Sequence, residues 1–164
     1  MGIQINGSND NISSTDGSLT ITGYQISGDA QNNTVIGKNA GNSFTGTDAE
    51  DNALFGKDAG TAITTGDYNT AVGNESLFSN TTASYNTAFG YTALKTNTTG
   101  NYNTASGWQS LYYNTTGAGL AAFGVSSLQT NTTASYSSAF GTNSLFSNTT
   151  GAENTAVGHS ALYT

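Results

Sequence analysis

Apolar and small residues fall in one fixed pattern along most of the chain, clearest in two adjoining segments, "NTAVGNESLFSNTTASY" (69–85) and "NTAFGYTALKTNTTGNY" (86–102). With the glycine of "NTAxG" as marker, copies stand at Gly56, Gly73, Gly90, Gly107, Gly124, Gly141 and Gly158, evenly spaced at a 17-residue period. An earlier marker, Gly37, stands two positions farther from Gly56 than the later markers stand from one another, so the first copy carries an insertion. Spacing this strict gives every position in the copy one structural task.

The residues leading into each marker predict a short strand. Alternate residues of a strand face opposite ways, which sets Thr70 and Val72 on one side and Asn69, Ala71 and Gly73 on the other. The same division recurs at Phe89, Phe123, Phe140 and Val157, so one side is bulky and apolar and the other small. Four positions past the marker, Leu77, Leu94, Leu111, Leu128, Leu145 and Leu162 form a second apolar column. Asn-Thr-Thr follows at Asn80, Asn97, Asn114, Asn131 and Asn148, then Gly or Ala and often Tyr. This reads as a turn, because Asn and Gly tolerate left-handed backbone and Asn or Thr side chains bond the nearby main chain.

A unit this short cannot enclose a core alone, but stacked copies can, each strand pairing with its counterpart about 4.8 Å away in the next coil. Thr, Asn and Gly are poor helix formers and no helical apolar stripe persists, so helices are disfavoured. The expected fold is all-β, a parallel β-solenoid or β-roll shaft over residues 31–164, of about eight coils with the last incomplete. At that rise it is a rod on the order of 40 Å long. Residues 1–30 do not repeat. Their alternating Ile3/Ile5 and Leu19/Ile21 runs around "STDGS" predict a β cap or attachment segment.

One such coil holds few core residues, and its Val/Phe side is bulky for a narrow roll to cover. That side is expected to meet other copies, most simply in a homotrimer with the column toward the three-fold axis. A monomer with wide, self-covered coils is the competing arrangement. Core or trimer axis is thus assigned to Val72, Leu77, Phe89, Leu94, Leu111, Phe123, Leu128, Phe140, Leu145, Val157 and Leu162. The chain stops at "NTAVGHSALYT", part-way into its last copy. A solenoid end needs a polar cap, so this end is expected to be covered by another chain or to continue in a longer protein.

Composition narrows the function classes. Charged residues make up only 8% of the chain and aromatics 10%, whereas disordered chains are rich in charge and poor in aromatics; order is therefore expected. Arg is absent and Lys occurs only at Lys38, Lys57 and Lys95, against ten acids, so nucleic acid is not an expected partner, nor is an anionic membrane surface. Nine of those acids lie at or before Glu75. There is no Cys, and "MGIQINGSND" has neither a basic leader nor a long apolar run, so no signal peptide or membrane insertion is expected.

Candidate chemistry is sparse. Asp48, Glu50, Asp51 and Asp58 offer oxygen ligands to Ca²⁺, but the spacings of the EF-hand and the nonapeptide calcium repeat are both missing, and a solvated loop at the insertion is the preferred reading. His159 is the single His. No base, nucleophile and orienting group recur together, so neither an enzyme nor a cofactor is expected. The position after the marker varies through Asn74, Tyr91, Trp108, Val125, Thr142 and His159. It is an unconstrained surface slot or, through Tyr91, Trp108 and His159, a receptor-facing one, since aromatics stack on sugars and dominate interfaces. Tyr68, Tyr85, Tyr102 and Tyr136 are expected to stack as a ladder at the turn, and the Asn80 and Asn97 sequons to be turn residues rather than glycan sites. Thr81/Thr82 and their repeats raise an ice-binding Thr array as an alternative function.

The unit "NTAxGxxALxxNTTGxxN", carried by residues 69–164 and more loosely from Asn33, resembles repeat tracts of bacteriophage and marine bacterial tail-fibre proteins. With its longer unit it is also similar to the head repeats of trimeric autotransporter adhesins, whose strands build trimeric left-handed β-rolls. The resemblance implies an extracellular virion fibre, exported by phage assembly and lysis, that supports host attachment. A bacterial surface-adhesin shaft is the alternative, made less favoured by the lack of a membrane anchor. Implied partners are other virion or fibre proteins at the N-terminal segment and the open last coil, and a host glycan or protein receptor. "LAAFG" at Leu120 and "SSAFG" at Ser137 depart from the motif and put a continuous Asn ladder in doubt.

Overall fold

A computed structural model describes residues 31–44 and 48–163. The expected cap at 1–30 lies outside the described residues. Eight short strands follow in order: β1 (Thr34–Ile36), β2 (Ala53–Phe55), β3 (Thr70–Val72), β4 (Thr87–Phe89), β5 (Thr104–Ser106), β6 (Ala121–Phe123), β7 (Ser138–Phe140) and β8 (Thr155–Val157). They form one parallel sheet in sequence order, a β-solenoid of about seven turns with no helix among the described residues. Thr34 pairs with Ala53 across the longer first copy, and Thr70 with Thr87 across a regular one, so the insertion is absorbed without disturbing the stack.

Coil-to-coil hydrogen bonding continues outside the strands. The Leu94 N–H donates to Ser110 O (3.0 Å), Ser79 N–H to Lys95 O (2.9 Å) and Tyr85 N–H to Asp67 O (3.0 Å). Each coil thereby satisfies its neighbour's main chain without needing a crossover helix.

The interior holds stacks of identical side chains. Leu77, Leu94, Leu111, Leu128 and Leu145 are buried, facing buried Ala71, Ala88, Ala105, Ala122 and Ala139 of the strands; Leu162, in the last coil, is 57% exposed. All six leucines have left-handed backbone, with φ between 49° and 51°. So do Tyr68, Tyr85, Tyr102 and Tyr136, whereas the Asn and Gly of Asn-Thr-Thr-Gly, expected to take this conformation, do not. Burying Leu gains about 1.5–3 kcal/mol, enough to offset the roughly 1–2 kcal/mol cost of the left-handed backbone.

The first two coils solve the same packing problem differently. At the leucine station stand Gly41 (φ 57°) and Gly60 (φ 56°). The lost volume returns from Phe44 in one coil and from Leu54 and Ile63 in the other; an added Cβ at Gly60 would lie 2.8 Å from both Ile63 Cδ1 and Leu54 Cδ1. Gly60→Leu alone is therefore expected to overpack this coil and destabilise by about 1–3 kcal/mol. Adding Leu54→Ala and Ile63→Asn, which copies the next coil, is expected to recover the loss, as read from the urea midpoint.

Two asparagine ladders run through the stack. Asn33, Asn52, Asn69, Asn86 and Asn103 each accept, through Oδ1, the backbone N–H of the equivalent residue one coil on, at 2.9–3.0 Å. Leu120 ends this series, and the Ser137 hydroxyl resumes it by accepting the Asn154 N–H at 3.1 Å. The second ladder, from Asn80 to Asn148, lies in the sequons. Asn97 Nδ2 donates to Asn80 Oδ1 (2.9 Å) and to Gly100 O (2.9 Å), and the same pair of bonds recurs at Asn114 and Asn131. Asn80, Asn97, Asn114 and Asn131 are fully buried, which makes them turn residues with no access for glycosylation.

Candidate functional site

The middle residue of each strand points into the roll, so its two neighbours point out. The outer face accordingly carries two columns. One is small and mostly hydroxylic: Thr70, Thr87, Thr104, Ser138 and Thr155, with Ala53 and Ala121. The other is bulky: Ile36, Phe55, Val72, Phe89, Phe123, Phe140 and Val157, interrupted once by Ser106. Phe89 is 58% exposed and Val157 73%; Val72 is half-buried. The Phe123 and Phe140 rings stack at 5.1 Å with planes 3° apart. In the single chain this column covers no core, and the residues assigned to core or trimer axis divide into inward leucines and outward Val and Phe.

The outer strand columns contain no charged residue, although the chain carries a net charge of −7. Charges lie elsewhere. Lys95 Nζ sits 2.6 Å from Glu75 and between the Phe78 and Tyr112 rings, at 5.8 and 5.7 Å from their centroids. The hydrogen bond to Glu75 holds the Lys95 ammonium above its usual pKa. Lys57 pairs with Asp58 at 3.0 Å. Asn39 and Lys57 both bond Asp58, which lowers its carboxyl below the ordinary range.

The other candidates separate as follows. Tyr91, Trp108 and His159 are exposed, two positions beyond the bulky column in sequence. Asp48, Glu50 and Asp51 are exposed as well, and among the described residues no group of three His, Cys, Asp or Glu is placed to hold a metal ion. Of the paired threonines, the first in each coil spends its hydroxyl on a carbonyl of the next: Thr81 on Thr98 O, Thr98 on Thr115 O, Thr115 on Thr132 O. The second, Thr82, Thr99, Thr116 and Thr133, is exposed, and in the last pair both Thr149 and Thr150 are.

The Tyr68, Tyr85 and Tyr102 rings stack with centroids 5.0 Å apart and planes 9° and 6° from parallel. Gly119 ends this ladder, and an added Cβ there would lie 2.8 Å from the Tyr136 ring. Beside it, Asp67, Ser84, Asn101 and Ser135 use side-chain oxygens to accept the backbone N–H of the preceding coil at 2.7–3.0 Å. This capping was not read from the sequence; an acceptor recurring just before the tyrosine position was its signal.

No family model, curated protein or solved structure matches the chain.

Proposed function

We propose that the chain is a segment of a homotrimeric fibre, a stiff shaft in a virion tail fibre or related appendage that supports attachment to a host cell. The observation that carries this reading is the outward column from Ile36 to Val157 on a charge-free strand face. A bulky apolar row of this length is an aggregation surface unless covered. A three-fold arrangement covers it by bringing three identical rows to one axis without leaving an open edge. The near absence of reactive groups suits a shaft, and the likeness of the repeat to tail-fibre tracts suits a virion. In this assembly other fibre proteins join at the two ends of the shaft, and Tyr91, Trp108 and His159 remain outside the axis, free to meet a receptor.

Phe89→Asp tests the reading by placing three carboxylates at the axis. Sedimentation velocity is expected to show the parent as a trimer and the variant dissociated, with the β-sheet circular dichroism of both alike. An unchanged sedimentation profile would contradict the assignment of this face.

A further inference from the structure

We propose that Tyr68, Tyr85 and Tyr102 form an oxidative cross-linking site, where one-electron oxidation ties neighbouring coils together through a dityrosine bond. This inference does not depend on the oligomeric reading. The three rings are parallel, 5.0 Å apart, and 48%, 48% and 64% exposed, so an oxidant reaches them and each radical has a phenol beside it. Their main chain is fixed: the N–H groups of Tyr68, Tyr85 and Tyr102 donate to Glu50 O, Asp67 O and Ser84 O of the preceding coil at 3.0–3.3 Å. Tyr85, with a ring on each side, is the centre of the site. Tyr136 faces Gly119 instead of another ring. Tyr112 and Tyr113 meet edge to face at 69° and are adjacent in sequence, so a bond between them would tie no coils together.

The oxidant is a peroxidase intermediate generated from hydrogen peroxide. It removes one electron and one proton from each of two phenols, leaving two phenoxyl radicals with unpaired density on the ortho carbons. The radicals combine to form one ortho–ortho C–C bond, and tautomerisation moves each ortho hydrogen to oxygen, restoring both phenols. Two hydrogens are lost overall, and one peroxide is reduced to two waters. A link between consecutive rungs closes a loop of one repeat. By restricting the unfolded chain it acts as a disulfide would, in a sequence that has no Cys.

The test is to treat the full chain, dilute, with peroxidase and hydrogen peroxide. Expected are dityrosine fluorescence in the single-chain band, an intact mass lower by two hydrogens, and linked peptides joining Tyr85 to Tyr68 or Tyr102. Tyr85→Phe, which keeps the ring but not the phenol, is expected to lose most of the fluorescence, and Tyr136→Phe to keep it. Undiminished fluorescence in Tyr85→Phe, or links found only between chains or at other tyrosines, would overturn the proposal. Should Tyr85→Phe fail to fold by circular dichroism, the parent's peptide map decides: a map without Tyr85 links overturns it.

Discussion

Gly107→Ala is expected to cost at least about 3 kcal/mol and to leave the solenoid folded, if at all, only in separate halves. An added Cβ would lie 2.4 Å from the Gly124 carbonyl oxygen and 2.6 Å from its carbon. These are backbone atoms, so no side chain can swing aside; relief requires coils five and six to part. The φ of +144° is itself a region that residues other than Gly rarely enter. Because each coil touches only its neighbours, a break at one level uncouples everything on either side. Urea denaturation checks this against Thr116→Ala, an exposed site where the change should stay within about 0.5 kcal/mol. A Gly107→Ala protein as stable as its parent would contradict the stacking geometry.

Asn114→Ala is the second large effect, expected to destabilise by about 2–4 kcal/mol. Asn114 Nδ2 donates to Asn97 Oδ1 and Gly117 O, and its own Oδ1 accepts from Asn131 Nδ2, all at 2.8–2.9 Å. Truncation leaves Asn97 Oδ1 and one Asn131 N–H buried without partners, and an unsatisfied buried group costs more than a satisfied one contributes. The loss should exceed that of Asn148→Ala, where the ladder bond has stretched to 3.5 Å and the end of the row is partly exposed. Equal losses at the two sites would mean that the ladder contributes nothing beyond its turn bonds.

Much of the fold was legible because the constraint repeats. A coil bonds only to its neighbours, so the leucine spacing, the tyrosine stack and the Asn rows all appear at the period of the stack itself. Which strand face turns inward was only partly legible: the bulky side was expected to meet other copies, with a wide, self-covered coil as the competing arrangement. Alternation separates Val72 from Ala71, but the bulkier side is the outer one because the leucine column already fills the interior opposite the strand. Leu54 shows the same rule in reverse: it turns inward where Gly60 vacates the leucine station. The left-handed leucines were hidden too, since propensity assigns that backbone to Asn and Gly, and tertiary burial overrode it. At the candidate face, the exposure of Phe89, Tyr91 and Trp108 was foreseeable from their columns. The side-chain capping of the main chain by Asp67, Ser84, Asn101 and Ser135 was recognised only with the coils in place, although a recurring acceptor before the tyrosine position signals it.

In the proposed fibre, copies of this chain meet along the outward Ile/Phe/Val column. The native mass of the unmodified protein, by light scattering behind a sizing column, tests it most directly. Three chains in one elongated particle is the predicted result. A monodisperse monomer, stable across the concentrations measured, would contradict it.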